Sequence, residues 1–188
     1  INGAGKSTLL KMIAQQLNPD EGNCTQGSNV YPGYFAQHQT EVLKRDQTVF
    51  EAVQEVMPTA SRGVVMNICA SMLFNQDDVE KKVSVLSGGE RTRVVLARII
   101  ANPINFLILD EPTNHLDMRT REVLLEALSR FEGTIIFVSH DRHFLREIAT
   151  KVIVIDHGTT TEYLGGLGYF LEKSGNRFPG SEYTIRVG

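Results

Sequence analysis

The stretch Gly3-Ala4-Gly5-Lys6-Ser7-Thr8 constrains the fold more than any other part of the chain. Glycines at this spacing let successive backbone N–H groups turn inward around an anion. The residues after them suit the start of a helix, whose N-terminus carries partial positive charge. The stretch matches the C-terminal part of the phosphate-loop pattern: Gly, four residues, Gly-Lys-Ser/Thr. Counting back from Gly5, the first glycine of that pattern and the strand feeding the loop fall before Ile1. The chain also starts without Met, so the expectation is a fragment of something longer. Asn2, Gly3, Ala4, Gly5, Lys6, Ser7 and Thr8 are the candidate phosphate-binding residues. Lys6 would reach the β- and γ-phosphates and Ser7 would ligate Mg²⁺. The plainer alternative is a glycine-rich turn that only starts a helix.

A loop of this kind sits in an α/β fold, and the rest of the chain reads that way. Leu9 to Leu17 has a helical apolar period, ended by Asn18-Pro19-Asp20-Glu21-Gly22. Val30 to Ala36 has β character interrupted by Pro32-Gly33, which suits an edge or hairpin strand. Thr48-Val49-Phe50-Glu51 is a capping box opening a helix to about Met57, stopped by Pro58. Ser61 to Phe74 is a second, less regular helical stretch. Ser87-Gly88-Gly89-Glu90 is another capping box, and its helix ends at Asn102-Pro103. Three short apolar runs follow, Phe106 to Leu109, Thr134 to Val138 and Val152 to Ile155, separated by helical patterns at Arg119 to Phe131 and Asp141 to Ala149. Such runs read as buried parallel strands covered by helices. Asp156-His157-Gly158 suggests a tight turn.

The first of these runs ends in two carboxylates, Asp110 and Glu111. Ligands bind at the C-terminal ends of strands in open α/β sheets, which is where the run delivers them. Asp110 is placed to hold Mg²⁺, and Glu111 is the candidate general base for an attacking water. An acidic turn at a strand end is common without any such role; the phosphate loop upstream gives this one its meaning. Ser87, Gly88, Gly89 and Glu90 form a second candidate anion site, because two glycines at a helix start leave N–H groups bare.

In this order and spacing the motifs resemble the nucleotide-binding domain of ABC-type ATPases. Leu86-Ser87-Gly88-Gly89-Glu90 is similar to the family's signature motif. Tyr34-Phe35-Ala36-Gln37 is similar to its Q-loop, which implies that Gln37 senses Mg²⁺ and the attacking water. Asn114-His115-Leu116-Asp117 is similar to the D-loop. Val138-Ser139-His140-Asp141 places His140 where the family's switch histidine meets the γ-phosphate. The resemblance implies a P-loop-type parallel sheet covered by helices, with a helical insertion at about 38–85, all within one domain over 1–173. Ser174 to Gly188 has no assignment. It implies ATP and Mg²⁺ as ligands and ATP hydrolysis as the activity. It also implies a second nucleotide-binding domain as partner, because signature and phosphate loop meet different nucleotides in a head-to-tail pair.

The wording is that of the ABC-F subgroup: Glu111-Pro112-Thr113-Asn114-His115-Leu116-Asp117, Ser139-His140-Asp141-Arg142-His143-Phe144-Leu145, and Glu rather than Gln at 90. The ending Tyr163-Leu164-Gly165-Gly166-Leu167-Gly168-Tyr169-Phe170-Leu171 fits too, although that pattern more often has Asn where Gly166 stands. This implies a cytoplasmic chain acting on the ribosome in translation or its protection. The charged linker helix that ABC-F proteins place between their two domains does not follow Phe170-Leu171-Glu172-Lys173, which favours a second domain or a cut before the linker. No adenine-stacking residue can be assigned.

Composition limits the alternatives. Nineteen basic and 22 acidic residues give a net charge of −3, which excludes a globally basic nucleic-acid binder. No run is long enough to span a bilayer, and no signal peptide opens the chain. Cys24 and Cys69 are in no metal-ligand spacing, so a reducing compartment is the expectation. Two other readings stay open: the ATPase subunit of a membrane transporter, and a nucleotide-sensing module without catalysis. Lys6, Glu111 and His140 being all present speaks against the latter.

Overall fold

In the computed structural model the described residues are 5–35, 43–114, 116–156, 158–175 and 183–187. The chain divides into two compact units. One comprises Ile1–Ala36, Asn105–Thr113 and Glu132–Gly188; the other comprises Gln37–Ile104 and Asn114–Phe131.

The first unit is a six-stranded sheet with helices against it. Its strands are β1 (Pro32–Phe35), β2 (Phe106–Asp110), β3 (Thr134–Ser139), β4 (Lys151–Asp156), β5 (Thr159–Tyr163) and β6 (Tyr183–Val187), in the order β1-β2-β3-β6-β4-β5. β1, β2 and β3 pair in parallel, with Phe35 opposite Leu109 and Asp110 opposite Val138. β6 is antiparallel to both β3 and β4. β4 therefore runs in the direction of β1 to β3, while its neighbours β5 and β6 run against it. Val152 to Ile155 thus has the direction expected of a strand parallel to β1–β3, while its neighbours among the described residues are antiparallel. β1 lies at the sheet edge, where Pro32 costs no ladder bond that another strand needs.

Helices cover both faces. The helix α1 (Lys6–Ile13) buries Leu10 against Ile108 and Val138. The helix α6 (Arg142–Ile148) sets Phe144 edge-on to Phe137, with ring centroids 5.0 Å apart. Val138 and Phe137 are successive strand residues and point to opposite faces, so α1 and α6 do too. α1 begins earlier and ends earlier than the apolar period suggests. Gln15 takes a left-handed φ of 57° and breaks the turn before Leu17, which stays 43% exposed. A seventh helix, Leu167–Lys173 (α7), buries Leu167 and Phe170.

The second unit is helical: α2 (Val49–Gln54), α3 (Arg62–Ser71), α4 (Gly88–Ala101) and α5 (Met118–Ser129). Both sequence-read capping boxes are present. Thr48 Oγ1 accepts from Glu51 N while Glu51 accepts from Thr48 N, and Ser87 and Glu90 do the same. Two arginines of α4 fasten its neighbours. Arg93 stacks on Phe74 and donates to the carbonyls of Met72 and Leu73. Arg98 donates to Ala52 O and to Glu55. Glu55 also accepts from Lys44, and these two hydrogen bonds hold its carboxyl down at about 2.

Candidate nucleotide site

The candidate site of the first unit is built from the N-terminus of α1 and the ends of β2 and β3. Gly5 caps α1 in a left-handed conformation, φ 83°, and brings no side-chain cap. Glycine takes that φ at no steric cost, and the capless start suits an external anion. Lys6 follows at once. Burial pushes its ammonium pKa down, against the pull of the Glu111 and Asp110 charges, which favour the charged form. Ser7 and Thr8 are exposed on the first turn.

β2 places the two acids differently. Phe106, Ile108 and Asp110 share one strand face by the period of two, and Ile108 packs on Leu10 of α1. Asp110 is thus on the face that α1 covers. Its charge also raises the pKa of Tyr34, whose burial is the larger cause. Glu111 leaves the strand through a left-handed φ of 49°. That is an uncommon conformation for a residue with a Cβ and costs about 1–3 kcal/mol, so the surroundings must impose it. Its N–H continues the ladder by donating to Val138 O at 2.9 Å. The turn then carries its carboxylate to His140. Oε1 lies 3.1 Å from His140 Nε2, and Oε2 accepts from His140 N at 3.3 Å. The Glu111 side chain is 13% exposed and that of His140 41%. Burial pushes the Glu111 carboxyl pKa up; the charge and backbone N–H of His140 oppose this. The lysine and the capless helix start can hold a phosphate, and the carboxylate of raised basicity beside them, positioned by a histidine, can orient a water.

Lys6, Asp110, Glu111 and His140 are therefore brought together. Asn2, Gly3, Ala4 and Gln37 lie outside the described residues, as does His115. Ser87, Gly88, Gly89 and Glu90 belong to the second unit, at the start of α4. The backbone N–H of Ser87, and then its side-chain hydroxyl, hold the Glu90 carboxyl below its usual range. A Cβ on Gly89 would stand 3.0 Å from Asp117 Oδ2. Asp117 caps α5, accepting from Thr120 N at 2.8 Å, so the signature-like start and the D-loop-like segment meet side by side.

Two residues of the site were not singled out from sequence. Thr113 and Ser139 are buried, and their hydroxyl oxygens are 3.1 Å apart. The available signal was a hydroxyl residue two places after Glu111 and another just before His140.

The chain is similar to known proteins along most of its length. A family profile described as ABC transporter matches residues 1–114. Among curated relatives, YdiF of Bacillus subtilis is 45% identical over 172 residues, covering 92% of this chain and 27% of the relative. ABC transporter F family member 5 of Arabidopsis thaliana is 42% identical over 174 residues, covering 92% of this chain and 25% of the relative. The chain thus spans about a quarter of the length of these proteins. Among solved structures, a dimeric post-hydrolysis state of the ATP-binding cassette MJ0796 bound to ADP and Pi has TM-score 0.69 at 23% identity, covering 87% of this chain and 82% of that one. RNase-L Inhibitor has TM-score 0.71 at 24% identity, covering 99% of this chain and 38% of that one. The fold is that of ABC ATPase domains. With the profile match over more than half its length, the chain belongs to the ABC transporter family of ATP-binding proteins.

Proposed function

We propose that this chain is the nucleotide-binding domain of an ABC-F type ATPase that hydrolyses ATP to ADP and phosphate, in a protein that works on the ribosome. The observation that carries the catalytic part is the Glu111–His140 pair beside Lys6 and the capless start of α1. The subgroup part rests on the ABC-F wording around Glu111 and His140 and on relatives such as the F family member of Arabidopsis thaliana. The ribosome as partner follows from the subgroup alone. Among the described residues no helix is long and apolar enough to cross a membrane.

The side chains fit a magnesium-bound nucleotide: Ser7 offers a hydroxyl on α1, and Asp110 offers a carboxylate on the face that α1 covers. Magnesium takes one or two protein oxygens and completes its shell with phosphates and water. Gln37 is assigned to the same ion and to the water by resemblance. When bound, Mg²⁺ would supply neutralisation of the phosphate charge, with Ser7 and Asp110 as its side-chain holders. Gly5 and Thr8 at the start of α1 would offer backbone N–H groups to the phosphates, Asn2, Gly3 and Ala4 are assigned to the same loop by resemblance, and Lys6 would neutralise the phosphate charge. Glu111 accepts a proton from the attacking water and His140 fixes the carboxylate's orientation. Ser87, Gly88, Gly89 and Glu90 present their helix start to the nucleotide of a partner domain, so a competent site takes two domains. The dimeric MJ0796 state supports this reading.

Lys6→Ala tests the binding half. It removes one charge-assisted contact, worth about 1.5–3 kcal/mol. Titration of the full-length protein with ATP is expected to show a Kd roughly 10- to 100-fold higher than the parent. An unchanged Kd would overturn the phosphate-loop assignment.

A further inference from the structure

The segments after β2 and β3 are joined by more than the ladder. Glu111 N donates to Val138 O, and both carboxylate oxygens of Glu111 meet His140. Below that contact, Thr113 Oγ1 and Ser139 Oγ lie 3.1 Å apart. Ser139 is fully buried and Thr113 is 6% exposed. Ser139 Oγ also accepts from Asp141 N at 3.1 Å, and Asp141 Oδ1 caps α6 by accepting from His143 N and Phe144 N. A hydroxyl has one proton to give. With one of its two lone pairs taken by Asp141 N, Ser139 Oγ still has a proton and a lone pair, so either hydroxyl can donate to the other.

The placement matters because Glu111 is held at a left-handed φ, which relaxes unless something over-determines it. Residues on both sides of the strained position are fixed: Asp110 by the β2–β3 ladder, and Pro112 and Thr113 by burial. The Thr113–Ser139 hydrogen bond is a side-chain polar link between the two segments that does not use the reacting pair itself. We propose that Thr113 and Ser139 are positioning residues for ATP hydrolysis, a hydroxyl clamp that keeps Glu111 and His140 in register. This rests on the reading of Glu111 as general base.

Two substitutions at one position separate hydrogen bonding from packing. Thr113→Val keeps the shape and loses the hydroxyl; Thr113→Ser keeps the hydroxyl and loses a methyl. In the full-length protein, steady-state ATPase is measured for both, for Ser139→Ala, for Thr113→Val with Ser139→Ala, and for Glu111→Gln. The clamp predicts a fall in kcat of about 3- to 10-fold in Thr113→Val and in Ser139→Ala, the size of one neutral hydrogen bond. KM for ATP stays unchanged, Thr113→Ser retains near-parental kcat, and the double variant is no worse than the poorer single one. If Thr113→Val keeps kcat while Thr113→Ser loses it, the site needs only packing and the proposal is overturned. Full additivity in the double variant, or a rise in KM without loss of kcat, overturns it as well. Glu111→Gln is the separate control: parental turnover there removes the general-base reading itself, whereas loss there with parental kcat in Thr113→Val and Ser139→Ala removes only the clamp.

Discussion

Individual residues set the chemistry through their surroundings. Burial raises the pKa of Glu111 above the ordinary carboxylate value of 4.5. As the proposed base, Glu111 must be ionised to work, so ATP turnover is expected to fall as pH drops through this raised value, earlier than an unperturbed carboxylate would dictate. The same shift affects stability. A folded state that holds this proton more tightly than the unfolded chain is favoured at low pH, and that contribution is lost as pH rises through the folded-state pKa. The kcat/KM–pH profile of the full-length protein, which reports the free enzyme, is expected to place the acid limb above the ordinary carboxylate range; a limb within or below that range would contradict the buried environment described for Glu111. The identities of Lys6, Asp110, Glu111 and His140 were legible in sequence because each occupies a fixed place relative to a strand end or a loop glycine. The left-handed turn at Glu111 and the Thr113–Ser139 contact were not, because both arise only when two strands are laid in register.

At the scale of elements, the short apolar runs and capping boxes predicted most of the structure because each carries its own local signal. β5 had none: Thr159-Thr160-Thr161-Glu162 is exposed along its length, as an edge strand can be, so no apolar alternation marks it. β6, Tyr183-Thr184-Ile185-Arg186-Val187, is rich in β-forming residues, but its antiparallel place between β3 and β4 is a tertiary choice. The departure at Gly166 also has a structural reason. Gly166 caps α7, and a Cβ there would stand 2.6 Å from the backbone oxygen of Ala149, the C-cap of α6. The obstacle is main chain and cannot rotate away. Gly166→Ala is expected to destabilise the fold by about 1–3 kcal/mol, as overpacking does. Urea denaturation checks this; an unchanged midpoint would show that α6 and α7 do not approach so closely.

For the whole molecule, two candidate anion sites lie in separate compact units, Lys6 in one and Ser87 in the other. The proposed partnership with a second domain gives each a role on a different nucleotide. Mixing a Lys6→Ala copy of the domain with a Ser87→Arg copy, each inactive alone, is expected to restore part of the ATPase activity, because one composite site in the mixed pair is intact. Activity that stays absent on mixing, in copies shown to associate, would count against a site shared between domains. The central claim is that Glu111 activates water at a site that binds ATP without it, and Glu111→Gln in the full-length protein tests it most directly. Loss of a general base costs about 10²–10⁴ in rate. With ATP occupancy matched to the parent, phosphate release is predicted to fall by that factor while ATP binding persists. Parental turnover at matched occupancy would contradict the account.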